Sequence, residues 1–268
     1  MESGTGHLDR ERAERVYKTE GIVLRHGDMG EADRLITLFT PYRGKLRAVA
    51  KGARRPTSKL AGHLEQFTHT NVLIARGRSL DLITQAQSLH SFIAIRENLR
   101  LVLYASYAVE LVDRSTEWDS ENRQLFNLLY AMLVHLEITQ HPDTALRAFE
   151  LAALDILGYK PRLDKCVVCN RPLDSVINGF SAAAGGVLCP LCRARETDAR
   201  DITPASLAML RRLQDGGLAA AASLHMSPDT RLEIESVLAE YLHYRLEFDL
   251  NSAHVLRSLR RQIALFNP

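Results

Sequence analysis

Short apolar runs separated by Gly and Asp make up the first part of the chain. Five of them, rich in β-branched and aromatic residues, lie between residues 17 and 90. They are GIVLR (21–25), RLITLFT (34–40), KLRAVAKG (45–52), FTHTNVLIARG (67–77) and SLDLITQAQ (79–87). Runs of this kind are typical of strands. About five short strands in some 70 residues predict a small barrel, with the OB-fold as the obvious example.

After Phe92 the apolar residues recur at helical spacing. A first helix is predicted up to about Asp113, and further helices at 120–137 and at 143–157, where Gly158 suits a left-handed cap. Thr203 and Ser227 each precede a proline and predict two later helix starts, and a last helix is expected at 253–265. The face predicted for the first helix comprises Ile95, Leu99, Val102, Leu103, Ser106, Val109 and Glu110, and that for the helix after Ser227 comprises Ile234, Val237, Leu238, Tyr241 and Leu242.

The four cysteines fall in two Cys-x-x-Cys pairs, CVVCN (166–170) and CPLCR (189–193). Their spacing matches a four-thiolate zinc site, in which each pair presents two sulfurs to one tetrahedral ion. We therefore predict a structural Zn²⁺ whose ligands are Cys166, Cys169, Cys189 and Cys192, with the NGF and AGGVL segments forming a hairpin between the pairs. Free thiols or redox pairs are the alternative. Four thiolates leave no open position for water, so a catalytic zinc is not expected.

These patterns together predict an α+β chain: an N-terminal OB-fold β-barrel followed by a helical domain with an inserted four-cysteine zinc-binding segment. We expect a mobile tail, or alternatively a short helix, at 1–15 and the OB-fold domain at 16–90. The helical domain is expected in two parts, at 91–160 and 201–268, with the zinc-binding segment at 161–200 between them.

Composition adds few constraints, since 46% hydrophobic and 25% charged residues are ordinary for a globular protein. No apolar run approaches the ~20 residues that a membrane-spanning helix needs. The polar N-terminus MESGTGHLDRERAER lacks the apolar core of an export signal. We therefore expect no membrane association and a cytoplasmic location.

Positive charge is concentrated in one stretch although the formal net charge is only +2. No Asp or Glu occurs between Arg34 and Leu64. The period of two in KLRAVAK (45–51) places its basic residues and Val49 on one strand face and its other apolar residues on the opposite face. We predict a track that contacts DNA phosphates without reading bases. The predicted DNA-binding residues are Arg34, Arg43, Lys45, Arg47, Lys51, Arg54, Arg55 and Lys59.

The alternative is a charged face that is merely solvated or aids solubility. It leaves the lack of compensating acids unexplained, because soluble surfaces usually mix both signs. Other candidate sites are weaker. The acidic stretch GDMGEAD (27–33) is interpreted as a solvated loop between two strands, and the histidines have no metal-binding spacing. Trp118 is interpreted as a packing or helix-cap residue, and an aromatic content of 6% is low for a protein that stacks many bases.

Two parts of the sequence carry longer patterns: GIVLR followed by GEADRLITLFTPYRGKLRAVAKGARRPTSKLAGHLEQFT, and FELAALDILGYKPRLDKCVVC followed by GGVLCPLC. The first resembles the N-terminal domain of the RecO family of bacterial DNA repair and recombination mediators, and the second resembles the zinc-bearing central region of that family. The resemblance extends over nearly the whole chain from Val16. It implies an OB-fold, a helical body, binding of single- and double-stranded DNA, strand annealing, and loading of the RecA recombinase onto DNA coated by single-stranded DNA-binding protein.

The resemblance also implies RecR as a partner, the RecA filament as an indirect one, and a nucleoid-associated protein without enzymatic activity. The C-terminal tail of the single-stranded DNA-binding protein is a further expected partner, and the apolar faces at 92–112 and 232–246 are interpreted as core or as its groove. The alternative is a nucleic-acid-processing enzyme that holds its substrate with the barrel and the zinc segment. No lysine has the Lys-x-Asp-Gly setting of a ligase, and we identify no convergent carboxylates for a nuclease.

Overall fold

The computed structural model describes residues 15–266, which form two compact units. The first contains the described residues up to Phe92 together with Thr116–Phe126, and the second contains Ile93–Ser115 and the described residues from Asn127 onward. The predicted tail at 1–15 lies outside the described residues except for its last one. Thr116–Phe126 groups with the barrel, whereas the helical domain predicted at 91–160 includes this segment.

The first unit is an OB-like closed barrel with strand order β1-β2-β3-β5-β4. Strands β3 and β5 pair in parallel, and the other neighbours pair antiparallel. The strands are β1 (Val16–Met29), β2 (Asp33–Thr40), β3 (Gly44–Ala50), β4 (His69–Ala75) and β5 (Asp81–His90). A 3₁₀ turn at Ala61–His63 lies between β3 and β4. The barrel predicted from the apolar runs is therefore confirmed.

Alternating side chains fill the interior of the barrel. On β3, Leu46, Ala48 and Ala50 are buried in the barrel core, as the period of two predicts. Val72 and Ile74 of β4 join the same core. Because successive residues of a strand point to opposite faces, the basic residues of β3 lie on the outer side of the barrel.

The described part of the second unit consists mainly of helices, with α3 beginning in the first unit. The helices are α1 (Ile93–Arg96), α2 (Leu99–Ser115), α3 (Arg123–Ile138), α4 (Pro142–Ile156), α5 (Pro190–Arg193), α6 (Pro204–Ala221), α7 (Pro228–Leu246) and α8 (Asn251–Phe266). Helix α4 packs against α2, α6 and α7, and α8 packs against α2. None of these helices is long and apolar enough to cross a bilayer within the part of the chain that is described.

Capping residues fix several helix boundaries close to the predicted positions. The hydroxyls of Thr203 and Ser227 accept hydrogen bonds from the backbone N–H three residues further on, at 3.3 and 3.2 Å. In both cases a proline occupies the first turn, where its missing N–H costs no hydrogen bond. Gly158, with φ at +84°, follows the end of α4 in the left-handed conformation that the sequence predicts.

The first predicted helix is interrupted, and its predicted face is wrong in part. Asn98 separates α1 from α2, and its Oδ1 accepts hydrogen bonds from the backbone N–H of Arg100 and Leu101 at 3.0 and 3.3 Å. Asn98 thus caps a new helix, and Leu99 at its start is 65% exposed. The buried residues of α2 are Leu103, Tyr104, Ala105, Tyr107, Ala108, Val109, Leu111 and Val112.

The apolar faces of α2 and α7 both lie inside the second unit. The five α7 residues predicted to share a face are all buried, and Leu111 and Leu238 have no exposed surface. These faces are therefore packed core, and they do not present an open groove for a partner peptide.

The second unit also contains a small sheet around the cysteines. Its strands are β6 (Asn178–Ser181), β7 (Gly186–Leu188) and β8 (Arg200–Ile202), in the order β7-β6-β8 with antiparallel neighbours. Strands β6 and β7 form the hairpin predicted between the two cysteine pairs.

Candidate nucleic-acid interface and metal centre

The four cysteines converge on one point in the second unit. The Sγ atoms of Cys166, Cys169, Cys189 and Cys192 all lie within 4.8 Å of one another. A tetrahedral Zn²⁺ with Zn–S bonds of about 2.3 Å requires sulfurs about 3.8 Å apart, and Cys169 Sγ and Cys189 Sγ are separated by 3.7 Å. A disulfide would require about 2.0 Å. The cluster therefore fits a four-thiolate metal site, and no other group of potential metal ligands is found among the described residues.

Two backbone turns aim the sulfurs at this point. After the first pair, Asn170 adopts the left-handed conformation with φ at +60°, and its N–H donates to Cys166 O at 2.9 Å. The second pair follows β7 directly and opens the short helix α5, in which the Arg193 N–H donates to Cys189 O at 2.9 Å. Each turn brings its two cysteines to the same side.

The cysteine segment is attached to helices of its own unit. Arg211 Nε on α6 donates to Leu163 O at 2.8 Å, and the Tyr241 hydroxyl on α7 donates to Tyr159 O at 3.0 Å. Apart from two cysteines, the local hydrophobic cluster contains Leu188 as its only fully buried member among the described residues. A metal cross-link at this small cluster would add to the stability of the segment.

The electrostatics of the thiols also fit a cation. Hydrogen bonds from the side chain and backbone of Arg171 lower the pKa of the Cys169 thiol to about 6. Desolvation and hydrogen bonds with the neighbouring thiols raise the pKa of Cys192 to about 12. Desolvation of the Cys166 thiol is outweighed by hydrogen bonds from nearby backbone groups, which lower its pKa as well, so the cluster favours ionisation of two thiols and opposes that of Cys192. A dication would remove this opposition, because a coordinating thiol is deprotonated outright.

All of the predicted DNA-binding residues lie in the first unit, where they fall into three groups. The first, on β3 and the turn before it, contains Arg43, Lys45 and Arg47. The second, in the loop after β3, contains Lys51, Arg54 and Arg55. The remaining two residues are Arg34 on β2 and Lys59 at the end of that loop.

Lys45 is covered rather than exposed, contrary to the simple strand pattern. Its side chain is only 6% exposed, and its Nζ lies 4.8 Å from the ring centroid of Trp118. Arg47 Cζ lies 4.6 Å from the same ring. Gly44 permits this approach, because its φ is +60° and a Cβ there would lie 2.1 Å from Ser120 O. The segment that follows α2 therefore packs on β3 and covers part of its basic face.

The loop after β3 folds against the turn between β1 and β2. Gly52 N–H donates to Asp33 Oδ1 at 2.8 Å, and the Arg54 guanidinium lies 3.4 Å from Asp28 Oδ2. The acidic stretch GDMGEAD, predicted as a loop, forms the end of β1, a short turn at 30–32 and the start of β2, and it neutralises part of the charge of the loop after β3. Lys51 and Arg55 are exposed and make no ion pair with any described residue.

Compensating acids that the local sequence lacks are supplied by other segments. Glu65 Oε1 accepts from Arg34 Nη1 at 2.8 Å, just as Asp28 pairs with Arg54. Lys59 lines a cavity of about 580 Å³ together with residues of β1, β4 and β5, among them Lys18. The predicted track is therefore less continuous than the sequence indicates, because some of its cations are ion-paired and others are not.

Aromatic rings and cations meet around the turn between β2 and β3. Arg43 Cζ and Arg76 Cζ lie 4.4 and 5.2 Å from the ring centroid of Tyr17. Arg123 Cζ lies 5.3 Å from the ring of Tyr42. Lys45 and Arg47 beside Trp118 complete the group. We call these residues the cation–aromatic cluster: Tyr17, Tyr42, Arg43, Lys45, Arg47, Arg76, Trp118 and Arg123.

Sequence reasoning missed five members of this cluster, namely Tyr17, Tyr42, Arg76, Trp118 and Arg123. One signal was available, since Tyr42 stands between apolar β2 and the first basic residues in the turn TPYRGK. Trp118 gave no such signal, because its place on β3 depends on a contact between segments far apart in the chain.

Comparison with known proteins identifies the family. Residues 15–92 match the family described as "Recombination protein O N terminal", and residues 96–254 match "Recombination protein O C terminal". The chain belongs to the RecO family. It is 43% identical over 255 residues to the DNA repair protein RecO of Roseiflexus sp. (strain RS-1), covering 95% of this chain and 90% of that protein.

Other RecO proteins are similar over comparable lengths. The DNA repair protein RecO of Symbiobacterium thermophilum is 36% identical, covering 91% of this chain and 98% of the relative. That of Dehalococcoides mccartyi (strain BAV1) is 35% identical, covering 91% and 96%. Membership of the RecO family places the chain in DNA repair and recombination, in agreement with the resemblance seen in the sequence.

Proposed function

We propose that this chain is a DNA repair and recombination mediator that binds single- and double-stranded DNA with its barrel and anneals complementary strands. With RecR, it helps to load RecA onto DNA coated by single-stranded DNA-binding protein. The observation that carries the proposal is the concentration of basic side chains on one OB-like barrel in a chain of the RecO family. OB-folds are a common platform for single-stranded nucleic acids.

In this proposal the predicted basic residues contact phosphates. Arg47, Lys51 and Arg55 are the strongest contributors, because they are exposed and make no ion pair with a described residue. Arg34 and Arg54 contribute less, since carboxylates already neutralise part of their charge. Binding of this kind is sequence-independent and weakens steeply with salt, because each phosphate contact releases condensed counterions.

The metal in this proposal is a structural Zn²⁺ with Cys166, Cys169, Cys189 and Cys192 as ligands. The distances among the four sulfurs support the assignment. The ion would cross-link the two turns and stabilise the segment between α4 and α6. Because all four ligands are protein thiolates, it would take no part in a reaction.

RecR and the C-terminal tail of the single-stranded DNA-binding protein are the proposed partners. The proposal for the tail rests on family membership, because the apolar faces first considered for it are packed core. Calorimetry with a peptide of that tail at low salt tests this contact. Absence of binding would remove the tail from the proposal and leave the DNA-binding function untouched.

Strand annealing tests the central proposal. The purified chain, with neither nucleotide nor Mg²⁺, should accelerate pairing of two labelled complementary oligonucleotides. The basic side chains of the bound protein screen the repulsion between the strands. The effect should fall with rising salt in parallel with DNA affinity. A chain that cleaves or joins the oligonucleotides would instead support the nucleic-acid-processing alternative, and a chain that neither binds nor anneals them would refute the proposal.

A further inference from the structure

The cation–aromatic cluster has a composition that phosphate contacts alone do not require. Tyr42 and Trp118 are 55% and 43% exposed. Exposing aromatic rings to water is unfavourable. Cations that contact phosphates do not need such rings, so phosphate binding does not account for them. Both rings lie within the first unit, on or beside the outer surface of β3 and its turn.

Lys45 and Arg47 lie 4.8 and 4.6 Å from the ring centroid of Trp118, and Arg123 lies 5.3 Å from that of Tyr42. A guanidinium in this position is oriented in advance and keeps N–H donors for a phosphate. Arg47, Arg76 and Arg123 make no ion pair with any described residue. Three acidic residues flank Trp118, at Glu117, Asp119 and Glu121, so negative charge limits purely electrostatic binding at the indole.

An exposed ring between fixed cations suits an unpaired base attached to its phosphate. Every base has a π-face that can stack on Tyr, Trp or a guanidinium plane, whatever the sequence. In a duplex the bases are already stacked on one another and cannot reach such a ring. We infer that the cation–aromatic cluster is a stacking site for unpaired bases of single-stranded DNA, with Trp118 and Tyr42 as the stacking residues.

This inference rests on the proposed function and adds a strand preference to it. Duplex DNA would be held by phosphate contacts such as those of Lys51 and Arg55, whereas single strands would gain the stacking contacts as well. The same barrel would therefore bind both forms and prefer the unpaired one.

Trp118 is the single tryptophan of the chain, so its fluorescence reports on this site alone. Titration of the full-length protein with an oligo(dT) strand should quench the emission. A duplex with the same number of phosphates should quench it far less at equal occupancy. Occupancy is followed independently by the anisotropy of a label on the DNA.

Substitution separates stacking from charge. Trp118→Ala should weaken binding to single strands by about 5- to 100-fold, in line with the loss of one base stack. Since no charge is removed, the slope of log affinity against log salt should change by less than the value for one phosphate contact, and duplex affinity should fall far less than affinity for single strands. Trp118→Phe should restore most of the binding, and Tyr42→Ala should show a smaller loss of the same kind. Tyr244→Ala is the matched control, because Tyr244 is a 52% exposed tyrosine of the second unit.

The outcomes distinguish this inference from the function on which it rests. If the wild-type protein binds and anneals DNA but its tryptophan emission does not change at saturating oligo(dT), the stacking site is refuted and the mediator function stands. Emission that shifts with a partner protein but not with DNA would assign the cluster to that partner and likewise refute the inference. If no DNA binds by anisotropy, the proposed function itself fails. Should Trp118→Ala not fold by circular dichroism, the wild-type titration and Trp118→Phe still decide.

Discussion

Arg54 and Arg55 are adjacent in the chain but differ in their surroundings. Arg54 lies 3.4 Å from Asp28 and donates to Gly30 O at 3.2 Å. Arg55 is exposed and has no ion-pair partner among the described residues. If phosphates bind to this loop, Arg55 is free to meet them, whereas Arg54 must first give up contacts that hold the loop to the β1–β2 turn.

We therefore predict unequal effects from two equal changes of charge. Arg55→Ala should weaken binding to all single strands alike and make the salt slope shallower by about 0.7, the value for one phosphate contact. Arg54→Ala should change the slope less, and the double variant should change it by on the order of one unit. The measurement is DNA anisotropy at several salt concentrations. Arg195→Ala, an exposed cation of the second unit, serves as the control.

Two results would contradict this prediction. Unchanged affinity and slope in a folded double variant would show that the loop is not a DNA site. Equal effects of the two single substitutions would show that the pairing of Arg54 with Asp28 does not matter in solution.

The sequence predicted the alternation of faces along β3, but it did not predict the burial or charge pairing of individual side chains. Leu46 and Ala48 face the core because a strand has a period of two. The period of two places Lys45 on the same strand face as Arg47, yet Lys45 is buried because Trp118 covers it. Charge compensation has the same origin, since Glu65 and Asp28 come from segments outside the acid-free stretch. A local pattern cannot record such long-range contacts.

The cysteine segment shows the opposite case, in which sequence alone predicted most of the local structure. The spacing of the four cysteines requires that two turns meet, and the Gly-rich stretch between them supplies the hairpin β6–β7. Thiolate coordination imposes narrow distances, so the spacing carries more information than hydrophobic periodicity does. The break at Asn98, in contrast, lies inside a continuous apolar pattern and is set by side-chain capping.

Loss of a metal ligand should loosen this segment without harming DNA binding by the barrel. Cys189→Ser should abolish stoichiometric zinc in metal analysis and lower the melting temperature by about 5 °C or more, since each kcal/mol lost shifts it by roughly 2–4 °C at this size. Limited proteolysis should then cut between residues 160 and 200. Val168→Ala is the control, because Val168 lies between two ligands and is 63% exposed.

A zinc-free wild-type protein, purified under reducing conditions without chelator, would overturn the assignment of zinc. Full metal content in Cys189→Ser would show that this thiol is not a ligand. If Cys189→Ser lost DNA binding together with its zinc, the cysteine segment would belong to the DNA site. That result would contradict the assignment of DNA binding to the barrel.

The chain passes from the first unit to the second at Phe92, returns at Thr116 and leaves again after Phe126. The returning segment contributes Phe126, which is 5% exposed and lies 6.1 Å from Phe39 and 5.8 Å from His69, measured between ring centroids. The barrel strands alone therefore lack part of their packing. A boundary drawn after β5 would separate Phe39, which is fully buried in the intact chain, from the ring of Phe126.

Phe126 should accordingly control the stability of the barrel from outside its strands. Phe126→Ala in the full chain should cost about 3–5 kcal/mol, the usual range for a buried phenylalanine. Amide exchange should accelerate in β2 and β4, which carry Phe39 and His69, and a fragment of residues 15–92 should be less stable still. Phe248→Ala, which removes a half-buried ring of the second unit, should leave exchange in the barrel unchanged. A fragment of residues 15–92 with the exchange protection of the intact barrel would show that Thr116–Phe126 is not needed. In that case the barrel would be complete in its five strands.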